Sequence, residues 1–420
     1  MIEKHGRTGS ASYAWIILVV LFIGHVVSFG IRSSFGVYIS PWEQEFLASR
    51  SLVSSIAMLS FLVYCAGQLL AGKLNDSIGK GVVPAVGVFL MGVSLILTSQ
   101  ADQIWKVFIL FGIGFSLGYA GCSNSVPSTI ITNWFVKKRG FALGLIMAGF
   151  AVGQLILVPV SLFFVEKVGW RETMAALGVI IIAAVGPLFV LFLRSTPAEK
   201  GLKPYGYAGP VDHGRHAGSI RPEGDKPLSI FMVFRMRAFW QLTIPYFICG
   251  FTDGGIIQTH LIPIADGKGL AVTFVAIAFS LIAAANIAGT IVTGHLSDHI
   301  SRTRQLAIIY AFRAVTYVIL IVLHQPWLLL LFAVLYGVVE MASIAPTNSL
   351  AVQLFDRFSI GSILALVTVS HNVGGAAGSW IPGLLFDFTG SYYSVLVLSI
   401  VMLLAGALIA LKTPEIRGSR

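Results

Sequence analysis

The amino-acid sequence predicts an all-α membrane protein with twelve transmembrane helices in two six-helix, pseudo-symmetric bundles. Three observations carry that prediction. The 420-residue chain is 56% hydrophobic and only 11% charged, with a mean hydropathy of +0.86, whereas a soluble domain is about a quarter charged. Apolar runs of about 20 residues, enough to cross a hydrocarbon core of about 30 Å, recur along the chain. The two halves also repeat one another.

The runs number twelve, at about 14–40, 52–72, 82–100, 106–134, 139–163, 171–194, 238–263, 270–296, 305–324, 327–353, 360–386 and 392–411. The first is too long for the apolar core of a cleavable signal peptide and has no small-residue cleavage site before a polar start. Cys65, Cys122 and Cys249 all fall inside runs with no pair spacing, so they read as small buried hydrophobes, with neither a disulfide framework nor a metal site.

The net charge of +10 reports orientation. With the N-terminus inside, 21 of the 28 Lys and Arg residues fall in cytoplasmic segments. Arg50, Lys106, Lys167, Arg171 and Lys268 face outward, and Arg32 and Arg313 lie within runs. This is the positive-inside asymmetry. It predicts a multi-pass protein of the cytoplasmic (inner) membrane with both termini cytoplasmic, and no nucleic-acid partner.

Residues 195–237 are rich in Pro and Gly and read as a cytoplasmic linker. They separate an N-terminal bundle at 1–194 from a C-terminal bundle at 238–420. The repeat supports this division. GQLLAGKLNDSIGK in the second run matches GTIVTGHLSDHISR in the eighth at a constant offset of 222: Gly67 with Gly289, Gly72 with Gly294, Leu74 with Leu296, Asp76 with Asp298, Ile78 with Ile300. Gly118 and Pro127 echo Gly337 and Pro346, and Gly140 and Gly153 echo Gly361 and Gly374. Glycines let helices approach closely. Asp76 and Asp298 sit where helices end, able to cap a neighbouring helix and engage cations. They read as conformational, gating residues. Two parallel six-helix repeats around a central cavity form a transporter architecture.

The loop motif from Gly72 to Gly79 and its second copy from Gly294, the glycine-rich stretch WFVKKRGFALGLIMAGFAVGQL, and the turns at Gly169-Trp170-Arg171 and FDFTGSYY (386–393) make the chain resemble the major facilitator superfamily over nearly its whole length. SFGIRSSFGVY (28–38), THLIPIAD (259–266) and PAEKGLKPYG (197–206) resemble the bacterial branch of the monocarboxylate transporter and oxalate/formate antiporter group. Many members of that branch carry on the eighth helix an Asn or Asp followed four residues later by an Arg that grips the substrate carboxylate. Here Asn286 and Gly289 keep the frame, but Thr290 stands in the arginine position.

Ionisable residues within spans cost about 2.5–3.5 kcal/mol each on insertion scales and mark functional sites. Arg32, about two turns from the outer end of the first run, reads either as a snorkelling side chain or as the cavity's anion fork. Asp253 lies on the seventh helix at the depth that the repeat gives Arg32, so the two are expected to pair across the cavity. His260, two turns further along, reads as a proton relay or as an outer-end residue reaching headgroups. Glu340 on the tenth helix reads as a proton carrier or as the buried ion-pair partner of Arg313. Tyr119, Asn124, Asn286, Thr290, His371 and Asn372 are candidates for neutral hydrogen bonds to a substrate, and His25 reads as a packed polar residue.

No phosphate loop, metal spacing or nucleophile elbow is present, so neither enzyme chemistry nor a cofactor is indicated. Two gate motifs favour alternation over a channel pore. The expectation is a monomeric secondary transporter of a small organic anion of the monocarboxylate type, coupled to protons. The alternative is a carrier of a neutral or amphipathic metabolite such as a vitamin, aromatic compound or drug, which Thr290 favours.

Overall fold

The computed structural model describes residues 2–78, 81–123, 125–207, 228–296 and 300–415, with side chains from residue 12 onward except at Asp76 and Ser125. Its contacts divide the chain into two units, Met1–Gly209 and Pro210–Arg420.

The first unit holds six helical segments. These are α1 (Ile2–Ser33), α2 (Arg50–Ile78), α3 (Val82–Ser99), α4 (Ile104–Trp134), α5 (Arg139–Val168) and α6 (Trp170–Phe192). A tight turn at Phe35–Tyr38 carries α1 on into Ile39–Phe46. The second unit holds α7 (237–266), α8 (Val272–Leu296), α9 (Arg302–Ile321), α10 (Pro326–Leu354), α11 (Ile360–Thr389) and α12 (Tyr393–Leu411).

Among the described residues, eleven of these segments are long and apolar enough to cross a membrane unaided. The exception is α7. Its length suffices, but Gln241, Thr243, Thr252, Asp253, Gln258, Thr259 and His260 dilute its apolarity. A helix that polar is stable in a bilayer only when its polar face is turned to protein or to a wet cavity. Every residue of its central stretch, Phe251–Ile257, is buried.

The repeat read from sequence is a repeat in packing. In the first unit α1 packs on α5, α2 on α4, and α3 on α4 and α6; in the second, α7 packs on α11, α8 on α10, and α9 on α10 and α12. Paired glycines share an environment. A Cβ on Gly67 would meet Ala120 at 2.8 Å and one on Gly289 would meet the Val338 carbonyl at 2.0 Å. Gly118 and Gly337 are likewise pressed on main-chain carbonyls of Gly87 and Ile282, at 2.6 and 2.5 Å. Gly72 and Gly294 instead have open space around them, as do Gly140 and Gly361. Close helix approach therefore explains only part of the matched set.

Both units also break a helix at equivalent places. In α4 the chain turns extended at Ser123 and resumes as a helix at Ser125. In α10 it stops at Glu340 and resumes at Ile344. Pro127 and Pro346 sit in the first turn after each break, where a missing N–H costs nothing.

The segment after α6 belongs to the first unit. Tyr205 donates from its main-chain N–H to the Trp134 carbonyl at 2.7 Å, and its carbonyl accepts from Val136 and Lys137, both at 3.0 Å. The expected linker, 195–237, thus begins as a strap laid on the turn between α4 and α5. Residues 208–227 lie outside the described residues. The apolar stretch that follows forms a short turn, Ile230–Arg235, with Phe231 77% exposed.

Candidate functional site

In the first unit the polar centre is Arg32, in the last turn of α1. Its Nη1 donates to the Ser60 hydroxyl at 3.1 Å, and Ser60 accepts a second bond from Ser116 at 2.6 Å. The guanidinium carbon lies 4.2 Å from the centroid of the Phe61 ring, 5.0 Å from Tyr64 and 5.1 Å from Tyr119. Nη2 is buried and has no hydrogen-bond partner. Among the described residues of its unit, no carboxylate forms a salt bridge with it. A cation held on aromatic faces gains about 0.5–2 kcal/mol per good contact, less than a buried charge loses on leaving water. The rings therefore compensate the guanidinium only in part, and its Nη2 edge is left without an acceptor. The backs of the rings are packed too: Tyr64 lies 4.8 Å from Tyr119, and Gln68 donates to the Tyr64 hydroxyl at 2.5 Å.

In the second unit two carboxylates lie within one polar network. Asp253 sits in the wide-pitched turn of α7, a geometry with i→i+5 bonds that recurs at functional sites. Its Oδ1 accepts from the Tyr336 hydroxyl of α10 at 3.1 Å. Glu340, fully buried at the end of the first half of α10, accepts from the Asn286 amide of α8 at 2.5 Å. Thr290 donates to the Asn286 carbonyl oxygen at 3.0 Å and is itself exposed. Arg313, fully buried on α9, donates through Nη2 to the main-chain carbonyls of Val339 and Glu340, both at 2.6 Å. Arg313 thus grips the Glu340 backbone, because the broken helix leaves its last carbonyls without helical partners.

The other predicted residues make no hydrogen bond to Arg32, Asp253 or Glu340 among the described residues, although His371 lies near Asp253 and Arg313. His260 is fully buried, its Nδ1 2.9 Å from the Tyr392 hydroxyl and its Nε2 2.7 Å from the Ser379 carbonyl. The tautomer protonated at Nε2 satisfies both bonds, tying α7 to α11 and to the start of α12. His371 rests against the Tyr246 ring at 4.8 Å. Its neighbour Asn372 is buried with Nδ2 unpartnered. Asn124 and Asp298 lie outside the described residues, as does the side chain of Asp76. His25 is buried against Phe150 at 4.3 Å, and neither ring nitrogen has a hydrogen-bond partner.

Sequence reasoning missed Ser60, Phe61 and Tyr64, although Ser60 and Tyr64 stand four apart on α2 and so share a face. It also missed Tyr336, four residues before Glu340. Cys249 does more than fill space: its sulfur accepts from Arg313 Nη1 at 3.1 Å and lies 3.2 Å from the Ser343 hydroxyl.

The sequence profile of the Major Facilitator Superfamily matches residues 21–357. The chain belongs to this superfamily. Like other members it is a multi-pass membrane transporter. It is 26% identical over 411 residues to the uncharacterized MFS-type transporter YcxA of Bacillus subtilis, covering 94% of each chain. It is 23% identical over 408 residues to monocarboxylate transporter 13 of Rattus norvegicus, covering 96% of this chain and 89% of that one. Among solved structures it is similar in fold to a bacterial homolog of the human lysosomal transporter Spinster, captured inward-facing and unoccupied. The TM-score is 0.73 at 17% identity, covering 96% of this chain and 97% of that one.

Proposed function

We propose that this superfamily transporter moves a small organic anion of the monocarboxylate type, in symport with protons, by alternating access. The observation that carries the reading is Arg32: a guanidinium fixed by one hydroxyl and three aromatic rings, with Nη2 left bare. A guanidinium edge is the natural fork for a carboxylate. The relation to monocarboxylate transporter 13 supports the same substrate class. Asp253 and Glu340 are the groups assigned to the proton, because each is a buried carboxylate that accepts from a neutral donor, the Tyr336 hydroxyl and the Asn286 amide. The distribution of Lys and Arg supports an inner-membrane location with both termini cytoplasmic.

A second reading, transport of a neutral or amphipathic metabolite, draws on Thr290. Where the related branch grips a carboxylate with arginine, this chain offers a hydroxyl and, through Asn286, the Glu340 carboxylate.

Thermal unfolding of the purified protein separates the readings. Lactate and benzoate serve as monocarboxylates, oxalate as a dicarboxylate and nicotinamide as a neutral aromatic. A ligand at about 100 times its dissociation constant adds about 2.7 kcal/mol of apparent stability. The anion reading expects stabilisation by a monocarboxylate that is lost in Arg32→Gln. Stabilisation by nicotinamide alone, retained in Arg32→Gln, would overturn it.

A further inference from the structure

We propose that α9 is a splint, with Arg313 as the positioning residue that holds the Asp253 and Glu340 segments in fixed register. The inference rests on the reading of those carboxylates as the titrating pair. Two irregular backbones meet at this helix. The first half of α10 ends at Glu340, leaving carbonyls that no later turn of that helix reaches. Arg313 Nη2 takes two of them, placing a positive charge at a helix C-terminus, where the helix dipole favours it. The wide turn of α7 likewise displaces its carbonyls from the ordinary ladder. The Tyr317 hydroxyl adds a donor to the Thr252 carbonyl within that turn, and Arg313 Nη1 donates to Cys249 Sγ at 3.1 Å and reaches Thr252 Oγ1 at 3.5 Å.

Arg313 and Tyr317 stand four residues apart, on one face of α9. That face therefore fixes the residue before Asp253 and the main chain of Glu340 together. Tyr336 closes the loop, since its hydroxyl bonds Asp253 while its ring lies 5.6 Å from the Arg313 guanidinium. The repeat shows that the device is not part of the common architecture. An offset of 222 places Met91 and Leu95 at the equivalent positions of α3. Both are apolar and buried. The splint is found in the unit whose α7 and α10 carry the buried carboxylates.

A buried arginine that only capped carbonyls would contribute the same stability at every pH. One that positions two titrating carboxylates would not. The groups facing it are Tyr246, Cys249 and Asp253 from α7, Tyr310 and Tyr317 from α9, Tyr336 and Glu340 from α10, and His371 from α11. In ordinary surroundings the tyrosines and the thiol titrate above about pH 8, leaving the carboxylates and His371 for the acid-to-neutral range.

The test is a substrate-free cycle of melting temperature against pH from 4.5 to 8.5. Arg313→Lys keeps the charge but loses the fork. It is compared in the wild-type background and in Asp253→Asn/Glu340→Gln. The expected result is that Arg313→Lys moves the inflection of the curve by about one pH unit in the wild-type background and not at all in the neutral one. Tyr317→Phe, which removes a single bond, should give a smaller movement of the same sign and serves if Arg313→Lys does not fold. A loss of stability that is flat with pH and equal in both backgrounds overturns the proposal. So does a movement that persists in the neutral background and disappears with His371→Gln. No substrate enters the cycle, so its failure is distinct from a failure of the anion reading.

Discussion

The Asn286 amide donates to the Glu340 carboxylate at 2.5 Å, joining α8 to α10 where α10 breaks. The same asparagine accepts from Thr290 at 3.0 Å, so a surface hydroxyl, an amide and a buried carboxylate form one chain of hydrogen bonds. Such a chain can report the protonation state of Glu340 at the helix surface, because protonation changes what the carboxyl group accepts and donates.

Glu340→Gln isolates that proton. The glutamine carbonyl still accepts from Asn286, so the helices stay joined and the variant should melt within a few degrees of the wild type. In proteoliposomes it should keep exchange of the preferred substrate but lose accumulation driven by a pH gradient. Unchanged pH-driven accumulation would exclude Glu340 as the proton carrier.

Arg32 gives a second, graded prediction. Phe61 is the nearest of its three rings, at 4.2 Å, and Phe61→Leu keeps most of the packed volume while removing the π face. A loss of about 1 kcal/mol of orientation is expected, or about a fivefold weaker dissociation constant for whichever carboxylate stabilises the wild type. Thermal-shift titration reads it directly. An unchanged constant would mean that Ser60, Tyr64 and Tyr119 orient the guanidinium without Phe61.

The fold was legible in the sequence because its determinants are local or periodic. Run length and the offset of 222 between Gly67 and Gly289 required no knowledge of tertiary contacts. The charged residues at each unit's polar centre were legible for the same reason, since Arg32, Asp253 and Glu340 stand out against apolar neighbours. Their partners did not stand out. Phe61, Tyr64 and Tyr336 are three among many aromatics, and only folding brings Tyr336 to Asp253, 83 positions away in the chain. Arg313 was visible as a charge, but its partners are main-chain carbonyls, which any sequence offers everywhere. What selects Val339 and Glu340 is the break in α10, and the GVVEMAS run carries no proline to announce it.

The strap after α6 yields a prediction about the first unit. Gly206 has φ +82°, and a Cβ there would meet Lys137 Cβ at 2.2 Å. Gly206→Ala combines backbone strain with a clash, at a cost of about 1–3 kcal/mol. The cheapest relief is for Tyr205 to leave the turn between α4 and α5. Trypsin should then cut after the exposed Lys200 faster than in the wild type. An equal rate of cleavage would show that the strap tolerates the substitution in place.

The last prediction concerns the start of α9, the helix that carries Arg313. Glu415, beyond the end of α12, accepts from the Ser301 hydroxyl, from the Arg302 N–H at 2.9 Å and from the Thr303 hydroxyl at 3.2 Å. A carboxylate at a helix N-terminus satisfies donors that the helix cannot and is favoured by the dipole. Partial burial pushes the Glu415 carboxyl up, but the bonds from Ser301, Arg302 and Thr303 together outweigh it and hold the group below its ordinary value. A carboxylate depressed in the folded state stabilises that state above the unfolded pKa of about 4.3 and loses the contribution as pH falls through the folded pKa. Glu415→Gln should therefore cost about 0.5–1 kcal/mol at pH 7.5, a modest figure because the group is partly open to water. Melting curves of the two proteins should converge as the buffer is taken below about pH 4. A gap that stays constant into acid would assign the loss to packing at the C-terminal segment, because a charge-dependent cap must vanish once the carboxylate is protonated.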